Sequence, residues 1–248
     1  MSGTILAVDA GNTRLKWGLW QSGAWRRKGA LPVAGAARLH EVIAPERPAQ
    51  TIVSCVAGGD VRAALEAGLA RLGGPVLWLG PAAAGYGLRN TYTEPAQLGP
   101  DRYAMLVACL HLGFAPCIVV GAGTAVTVDA LDGQGTYLGG LILPGPALMR
   151  QALATGTAGV AQVSGQLQDF PRCTGDGVET GIWRALAGAV ADLRGRLAPA
   201  AGEQPRVVLS GGEATALAAV VDEPRRVVED LVLEGLLWIA RCSDAQAR

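Results

Sequence analysis

The sequence predicts an α/β protein of two related lobes, each a mixed sheet flanked by helices. An apolar strand, a glycine corner and a second strand occur at residues 5–20 and again at 117–131. At an offset of 112 residues, VDAGNT (8–13) aligns with VGAGTA (120–125), and Gly11 coincides with Gly123. A six-residue match alone is weak evidence. Because similar elements follow in a similar order in both halves, an internal repeat is the better explanation.

The first half is predicted to run in the order β-β-β-α-β-α-β-α. Apolar or β-branched runs predict strands at residues 4–9, 14–20, 25–31, 51–56 and 76–79. Helical spacing of apolar residues predicts helices at 36–43, 60–72 and 100–112. Ser22-Gly23 predicts a hairpin turn, Asp60 the N-cap of the second helix and Pro100 the first residue of the third.

The second half opens with three predicted strands within residues 117–144, separated by a glycine corner and by the Asp132-Gly133 turn. Helices are predicted at 146–153 and 177–197, followed by a strand at 207–210 and two more helices. The lobes are predicted to divide near residues 113–116. An N-terminal lobe of residues 1–115 would carry the first corner and a glycine-rich loop at 85–102, and a C-terminal lobe of 116–248 would carry the second corner.

Composition excludes several classes of function. The chain has 248 residues, half of them hydrophobic, with 21 basic and 21 acidic residues and a formal net charge of zero. Nucleic-acid binding without sequence preference needs a basic field, which this balance does not provide. No apolar run reaches the roughly 20 residues of a membrane helix, and the N-terminus MSGT lacks a secretion leader. We therefore predict a cytoplasmic protein that binds neither nucleic acid nor membrane.

The first corner has the residue types of a phosphate and metal site. Glycine lets backbone N–H groups turn toward an anion, and Asn12 and Thr13 add side-chain donors. Asp9, at the strand end, could hold Mg²⁺ directly or through water, because hard cations take carboxylate oxygens. Lys16, two residues after Arg14 on the same strand face, could reach a phosphate. The alternative is that both corners are ordinary hairpin turns, and the matched pair makes this weaker.

Competing nucleotide motifs are not present. The chain has no G-x-x-x-x-G-K-[ST], and therefore no P-loop. The stretch GAGTAV at 121–126 shares only the first two glycines of a dinucleotide fingerprint. A β-branched strand follows it, where that fingerprint requires a helix.

Four motifs, DAGNTRLK, GPDR (99–102), GAGTAVT and TGDGVETGI, resemble those of type III pantothenate kinases, also called the Bvg accessory factor family. The resemblance covers nearly the whole chain, with the motifs in order. It implies the actin/hexokinase-like ATPase superfold, with two ribonuclease-H-like lobes that bind phosphates between them. It also implies phosphorylation of pantothenate by ATP, the first step of coenzyme A biosynthesis, and a homodimer.

The same resemblance assigns roles to individual residues. It implies that ATP binds at Asp9, Ala10, Gly11, Asn12, Thr13, Arg14, Leu15, Lys16 and Thr124. Pantothenate would bind at Tyr92, Gly99, Pro100, Asp101, Arg102 and Thr174, with Asp101 as the general base and Asp9 at the Mg²⁺. The residue types agree with this: Pro100 places Asp101 in the first turn of a helix, and the planar fork of Arg102 suits a carboxylate. The spacing alone also fits an acidic first turn followed by a surface arginine.

One position departs from the family pattern. Many members carry an aspartate three residues before the second-lobe threonine, where it binds a monovalent cation, K⁺ or NH₄⁺. Here that position is Gly121, which has no carboxylate. The sequence therefore puts the monovalent cation in doubt.

Two other functions remain open at the level of sequence. A sugar or other small-alcohol kinase of the same superfold would keep the corners but need a different substrate loop, so the GPDR motif counts against it. A non-catalytic accessory or regulatory protein on this scaffold would not need intact chemistry. Asp9, Asp101, Arg102 and Thr124 are all present and argue for a retained reaction.

Overall fold

A computed structural model describes residues 3–80, 85–157, 160, 164–202 and 204–246. The chain forms two compact units. The first consists of Met1–Leu112 together with Asp230–Arg248, and the second of Gly113–Glu229. Within the described residues, no helix combines the length and apolar character needed to cross a membrane.

The strands and helices follow one another as the sequence predicts, with a few exceptions. The strands are β1 (Ile5–Ala10), β2 (Arg14–Gln21), β3 (Ala24–Pro32), β4 (Gln50–Cys55), β5 (Val76–Trp78), β6 (Arg89–Asn90), β7 (Cys117–Ala122), β8 (Ala125–Leu131), β9 (Thr136–Pro144), β10 (Arg206–Ser210) and β11 (Arg225–Val227). The helices are α1 (Leu39–Ile43), α2 (Gly59–Ala70), α3 (Pro100–His111), α4 (Pro146–Gly156), α5 (Thr174–Ala201), α6 (Ala214–Ala218) and α7 (Leu231–Gln246). Short 3₁₀ turns lie at Val33–Arg38, Ala44–Glu46 and Pro95–Gln97.

The two units repeat one sheet topology. In the first unit the strand order is β3-β2-β1-β4-β5, and the five strands of the second unit follow the order β9-β8-β7-β10-β11. In both, three antiparallel neighbours continue into two parallel strands. Backbone contacts repeat as well: the Val56 N–H donates to Ala10 O over 3.0 Å, and the Glu213 N–H donates to Ala122 O over 3.0 Å. The predicted pair of related α/β lobes with mixed sheets is confirmed.

Each unit has its own hydrophobic core around its first strand. In the first unit Leu6 and Val8 of β1 are fully buried, packed in one cluster with Leu65 and Leu69 of α2. In the second unit Ile118 and Val120 of β7 occupy the same place in a cluster that α5 and α6 complete. A strand buried on both faces reads as a continuous apolar run, which is why β1 and β7 were visible in the sequence.

The last helix belongs to the first unit, which differs from the predicted division into residues 1–115 and 116–248. Its Gly235 packs so close to α3 that an added Cβ would lie 1.8 Å from Ala104 O. A glycine inside an apolar helix gives no sequence signal of which partner it approaches. The helix was therefore assigned to the lobe nearest to it in the chain.

Several local predictions were wrong, either in the boundary of an element or in its existence. Asp60 does not cap α2, because Gly58 is the N-cap and no side chain bonds to it. Helix α5 begins at Thr174, three residues before the predicted start at Gly177. Strand β11 was missed because the exposed arginines Arg225 and Arg226 are not typical of an apolar run, yet an edge strand tolerates such residues.

We predict that Gly235→Ala destabilises the protein by about 2–4 kcal/mol, because the new methyl group must displace the backbone of α3. Gly188→Ala in α5 is the matched control, since an added Cβ there meets nothing within 4 Å. It should instead gain about 0.5–1 kcal/mol from helix propensity. Chemical denaturation of the two variants measures both effects, and equal stability of the two would contradict this packing.

Candidate active site

The two glycine corners have a similar backbone construction, although the second is one residue shorter. In the first, the Gly11 N–H donates to Arg14 O over 3.0 Å and the Val33 N–H donates to Thr13 O over 3.0 Å. In the second, the Gly123 N–H donates to Ala125 O over 3.0 Å and the Gly145 N–H donates to Thr124 O over 2.9 Å. Both corners therefore leave a threonine at the bend, with its carbonyl already bonded to the segment that follows the third strand.

Within residues 9–16, some side chains can reach a ligand and others cannot. Ala10 and Leu15 are fully buried in the core, so a nucleotide could reach them only through their backbone. Asn12, Thr13 and Arg14 are exposed at the bend. The corner thus offers polar side chains and backbone groups on a rigid, apolar base.

Asp9 is a partly buried carboxylate, and one of its oxygens has no bonding partner among the described residues. Its Oδ1 atom is inaccessible to solvent and makes no hydrogen bond within the described structure. In the sheet it lies directly opposite Lys16 of β2 and beside Ser54 of β4. Ser54 Oγ is also buried and completes no hydrogen bond. A buried oxygen without a hydrogen bond lowers the stability of the folded protein, and such an oxygen commonly marks the place of an ion or ligand.

The pKa of Asp9 is raised from 3.8 to about 7. Burial is the largest cause, and the negative charge of Asp101 is the second. The positive charge of Lys16 and the adjacent Ser54 hydroxyl lower the pKa only in part, and Asp230 raises it further. A cation at Asp9 would supply the charge compensation that the protein lacks, so the residues present fit a hard divalent ion.

Lys16 lies in the corner but pairs with a residue that the sequence analysis missed. Its Nζ is 3.0 Å from Asp230 Oδ1, on the residue immediately before α7. Since the two residues are 214 positions apart in the chain, no spacing in the sequence could have linked them.

Asp101 lies where the helix geometry was expected to place it. Gly99 is the N-cap of α3 and Pro100 the first residue, so Asp101 falls in the first turn. Its Oδ1 accepts a hydrogen bond from the Arg102 backbone N–H over 2.8 Å. Burial raises the pKa of Asp101, and the bond from the Arg102 N–H and the Arg102 charge offset this in part. A carboxylate with a raised pKa is a better proton acceptor than an exposed one.

The structure brings Arg102 and Tyr92 together. Arg102 is only 4% exposed, and its Nη1 donates to Tyr92 Oη over 3.1 Å. Tyr92 is set by Asn90, whose Oδ1 accepts the Tyr92 N–H over 3.0 Å and whose Nδ2 donates to Pro95 O over 3.1 Å. A plain surface arginine is therefore excluded, and the loop at 85–102 has a defined shape near its predicted site residues.

The second unit carries the remaining predicted residues. At the position equivalent to Asp9, β7 has Gly121, which lies opposite Thr127 of β8 and beside Ser210 of β10. Thr127 Oγ1 is buried without a hydrogen-bond partner. Thr174 is the exposed first residue of α5.

The motif that follows Thr174 has a structural reason. An added Cβ at Gly175 would lie 2.1 Å from Ser164 O, so only glycine allows the extended segment at 164–168 to pass this close. Asp176 Oδ1 then accepts the Gln166 N–H over 2.8 Å, and Thr180 Oγ1 accepts the Gln168 N–H over 3.0 Å. The motif thereby fixes the chain beside the start of α5.

Comparison with solved structures identifies the fold. A protein from Campylobacter jejuni assigned to the Baf family of transcriptional activators matches 97% of this chain and 99% of its own, with a TM-score of 0.65 and 21% identity. A protein from Sinorhizobium meliloti assigned as a 2-dehydro-3-deoxygalactonokinase matches 96% and 99%, with a TM-score of 0.58 and 15% identity. This likeness shows the fold alone, which is the actin/hexokinase-like fold with its repeated sheets and corners.

Sequence comparison is more specific. The profile of the type III pantothenate kinase family matches residues 5–196. The type III pantothenate kinase of Aromatoleum aromaticum is 42% identical over 244 residues, which cover 98% of this chain and 100% of the relative. That of Thiobacillus denitrificans is 40% identical, covering 97% and 98%. The chain belongs to the type III pantothenate kinase family.

The raised pKa of Asp9 predicts how stability depends on pH. Because the folded protein binds this proton more tightly than the unfolded chain, stability is lost as the pH rises from 3.8 toward about 7. Without divalent cations, Asp9→Asn should therefore gain in Tm over wild type, and this gain should be larger by about 4 °C at about pH 8 than at about pH 5.5. Asp60→Asn, at an exposed carboxylate, is the control for loss of one negative charge. A pH-independent difference between Asp9→Asn and wild type would refute the assignment.

Proposed function

We propose that this chain catalyses the ATP-dependent phosphorylation of pantothenate to 4'-phosphopantothenate, the first step of coenzyme A biosynthesis. One observation supports the proposal: a chain that belongs to this family contains a cluster of charged side chains suited to the reaction. Two partly buried carboxylates, Asp9 and Asp101, are close enough for the charge of Asp101 to raise the pKa of Asp9. The residue after Asp101, Arg102, is buried and donates a hydrogen bond to the Tyr92 hydroxyl.

The corner residues are proposed to bind ATP and its metal. Asp9 would hold Mg²⁺, while the backbone and polar side chains of residues 10–16 and Thr124 would contact the phosphates. Mg²⁺ when bound neutralises charge on the phosphate oxygens. Mg²⁺ suits this site because it needs few protein ligands. It commonly takes one or two carboxylates and completes its coordination shell with water and phosphate oxygens.

Asp101 is proposed as the general base. In a loose phosphoryl-transfer transition state the base need only orient the attacking hydroxyl and accept its proton late. Burial serves both needs, since it raises the pKa of Asp101 and, with the bond from the Arg102 N–H, holds the carboxyl in one orientation. The second oxygen of the carboxyl would face the hydroxyl of pantothenate.

Arg102 and Tyr92 are proposed to bind the acid end of pantothenate, with Gly99, Pro100 and Thr174 also contacting this substrate. A guanidinium offers a planar pair of donors that matches a carboxylate. The bond to Tyr92 Oη engages Nη1 and fixes the orientation of the fork before substrate arrives. Specificity for an acid over a neutral sugar would follow from this buried positive charge.

We predict that Asp101→Asn lowers kcat by about 10²- to 10⁴-fold, because the amide cannot accept the proton. Fold and nucleotide binding should be retained, since asparagine keeps the size and can still accept the Arg102 N–H. A coupled ADP-release assay with ATP, Mg²⁺ and pantothenate, run beside a panel of sugars, measures the effect. Turnover close to wild type would exclude Asp101 as the base, and phosphorylation of sugars alone would exclude the proposed substrate.

Arg102→Lys provides the contrasting variant in the same assay. Lysine keeps the positive charge, but it lacks the planar pair of N–H donors and the present hydrogen bond from Nη1 to Tyr92 Oη. The KM for pantothenate should rise by about tenfold or more, while the KM for ATP changes little. A selective loss of ATP affinity would instead assign Arg102 to the nucleotide site.

The monovalent cation of the family is proposed not to bind at the second corner. Gly121 and its strand neighbours Thr127 and Ser210 offer hydroxyl and carbonyl oxygens but no carboxylate to offset the lost hydration of K⁺ or NH₄⁺. Activity in sodium or Tris buffer should therefore change little when K⁺ or NH₄⁺ is added at fixed ionic strength. Choline chloride is the control, and saturable many-fold activation by K⁺ alone would overturn the proposal.

The chain is also proposed to act as a cytoplasmic homodimer. A groove of about 670 Å³ between α4 and α5, lined by Met149, Leu153, Val178 and Ile182, is almost entirely apolar. Leu153 is 36% exposed and Ile142 nearby in the second unit is 66% exposed, so a second copy would remove apolar surface from water. Sedimentation velocity would give twice the 25.4 kDa chain mass for a dimer and 25.4 kDa if this is wrong.

A further inference from the structure

The ion pair of Lys16 shows an unexpected choice of partner. Lys16 lies directly opposite Asp9 across the β1–β2 ladder, and opposite side chains of antiparallel strands lie on the same face. Its ammonium nevertheless pairs with Asp230 at 3.0 Å, and Asp9 Oδ1 has no hydrogen-bond partner among the described residues. A carboxylate with a buried oxygen would ordinarily attract a flexible lysine beside it. Another group must therefore keep the Lys16 ammonium away from Asp9.

Asp230 is itself held firmly. Its Oδ2 lies 3.6 Å from Lys28 Nζ, so each carboxylate oxygen has its own lysine. Its backbone is left-handed, with φ of 52°, immediately before α7 begins. One turn later Glu234 also pairs with Lys28 at 3.6 Å and accepts the Trp25 Nε1–H over 2.7 Å. The carboxylate that receives Lys16 is therefore fixed by strands β2 and β3 and by the start of α7.

We infer that Asp230 is a positioning residue that holds the Lys16 ammonium away from Asp9 and so keeps the Asp9 carboxylate open to a divalent cation. The inference rests on the proposed function in one respect, that Asp9 binds the cation that accompanies ATP. Without Asp230, Lys16 loses its salt-bridge partner, and the ammonium would turn to the carboxylate of Asp9 opposite it in the ladder and occupy the place of the metal. The pair with Asp230 therefore keeps the ammonium from competing with a cation at Asp9.

A purely structural role makes a different prediction. If Asp230 only docks α7 on the sheet, its loss lowers stability but leaves metal binding by the folded protein unchanged. Glu234 offers a matched control, because it lies in the first turn of α7, close to Asp230 in the chain, and contacts Lys28 and Trp25, whereas its described ion pair is with Lys28 and not with Lys16.

The experiment measures Mn²⁺ binding in the presence of a non-hydrolysable ATP analogue, by electron paramagnetic resonance, for the full-length chain. The variants are Asp230→Asn, Lys16→Met, the double variant and Glu234→Gln. We expect Asp230→Asn to weaken Mn²⁺ binding by about tenfold and the double variant to match Lys16→Met within about twofold, because removing Lys16 removes the competitor. Glu234→Gln should stay within about twofold of wild type.

The possible outcomes separate the two proposals. Mn²⁺ binding by Asp230→Asn at the wild-type level, or an equal loss in the Lys16→Met background, overturns the positioning role. A wild-type protein that binds no Mn²⁺ with the analogue overturns it as well. If the Mn²⁺ effects appear as expected but the wild type does not phosphorylate pantothenate, the inference stands and the proposed substrate is wrong.

Discussion

The uncompensated charge of Asp9 is the constraint on which the first unit depends. Asp9 is the penultimate residue of the central strand of its sheet, between the fully buried Val8 and Ala10, and burial raises its pKa to about 7. A protein selected for stability alone would replace this carboxylate or pair it with the lysine opposite. Here the lysine is paired elsewhere and a second carboxylate, Asp101, is placed nearby. The cost is understandable if a cation completes the site, since its positive charge compensates the carboxylates and its binding stabilises the folded protein.

The repeated topology separates the requirements of the scaffold from those of the chemistry. Both corners keep the glycine that closes the bend and a threonine immediately before the second strand, and both make corresponding backbone hydrogen bonds. The charged position is not repeated: Asp9 of the first unit corresponds to Gly121 of the second. A turn can therefore persist because the sheet requires it, while the side chain that precedes it is free to differ between the two halves.

Much of the fold could be read from the sequence, for reasons that particular residues make clear. The buried strands β1 and β7 are continuous apolar runs, and Gly11 and Gly123 mark the bends after them. Asp101 was placed correctly because Pro100 starts its helix locally. Burial of Arg102 and its bond to Tyr92 could not be derived, since they depend on the path of a loop. Asp230 and Gly235 were invisible because their partners, Lys16 and Ala104, are distant in the chain.

The assignment of α7 to the first unit has a consequence for biosynthesis. A ribosome releases the chain from its N-terminus, so β1 to α3 emerge long before the helix that covers them. The second unit, continuous from Gly113 to Glu229, has all its strands available before α7 is translated. The first unit therefore completes its core only after the whole second unit has been translated. A nascent chain stalled before residue 230 would carry an unfinished first unit beside a complete second one, and would expose to chaperones the apolar surface that α7 normally covers.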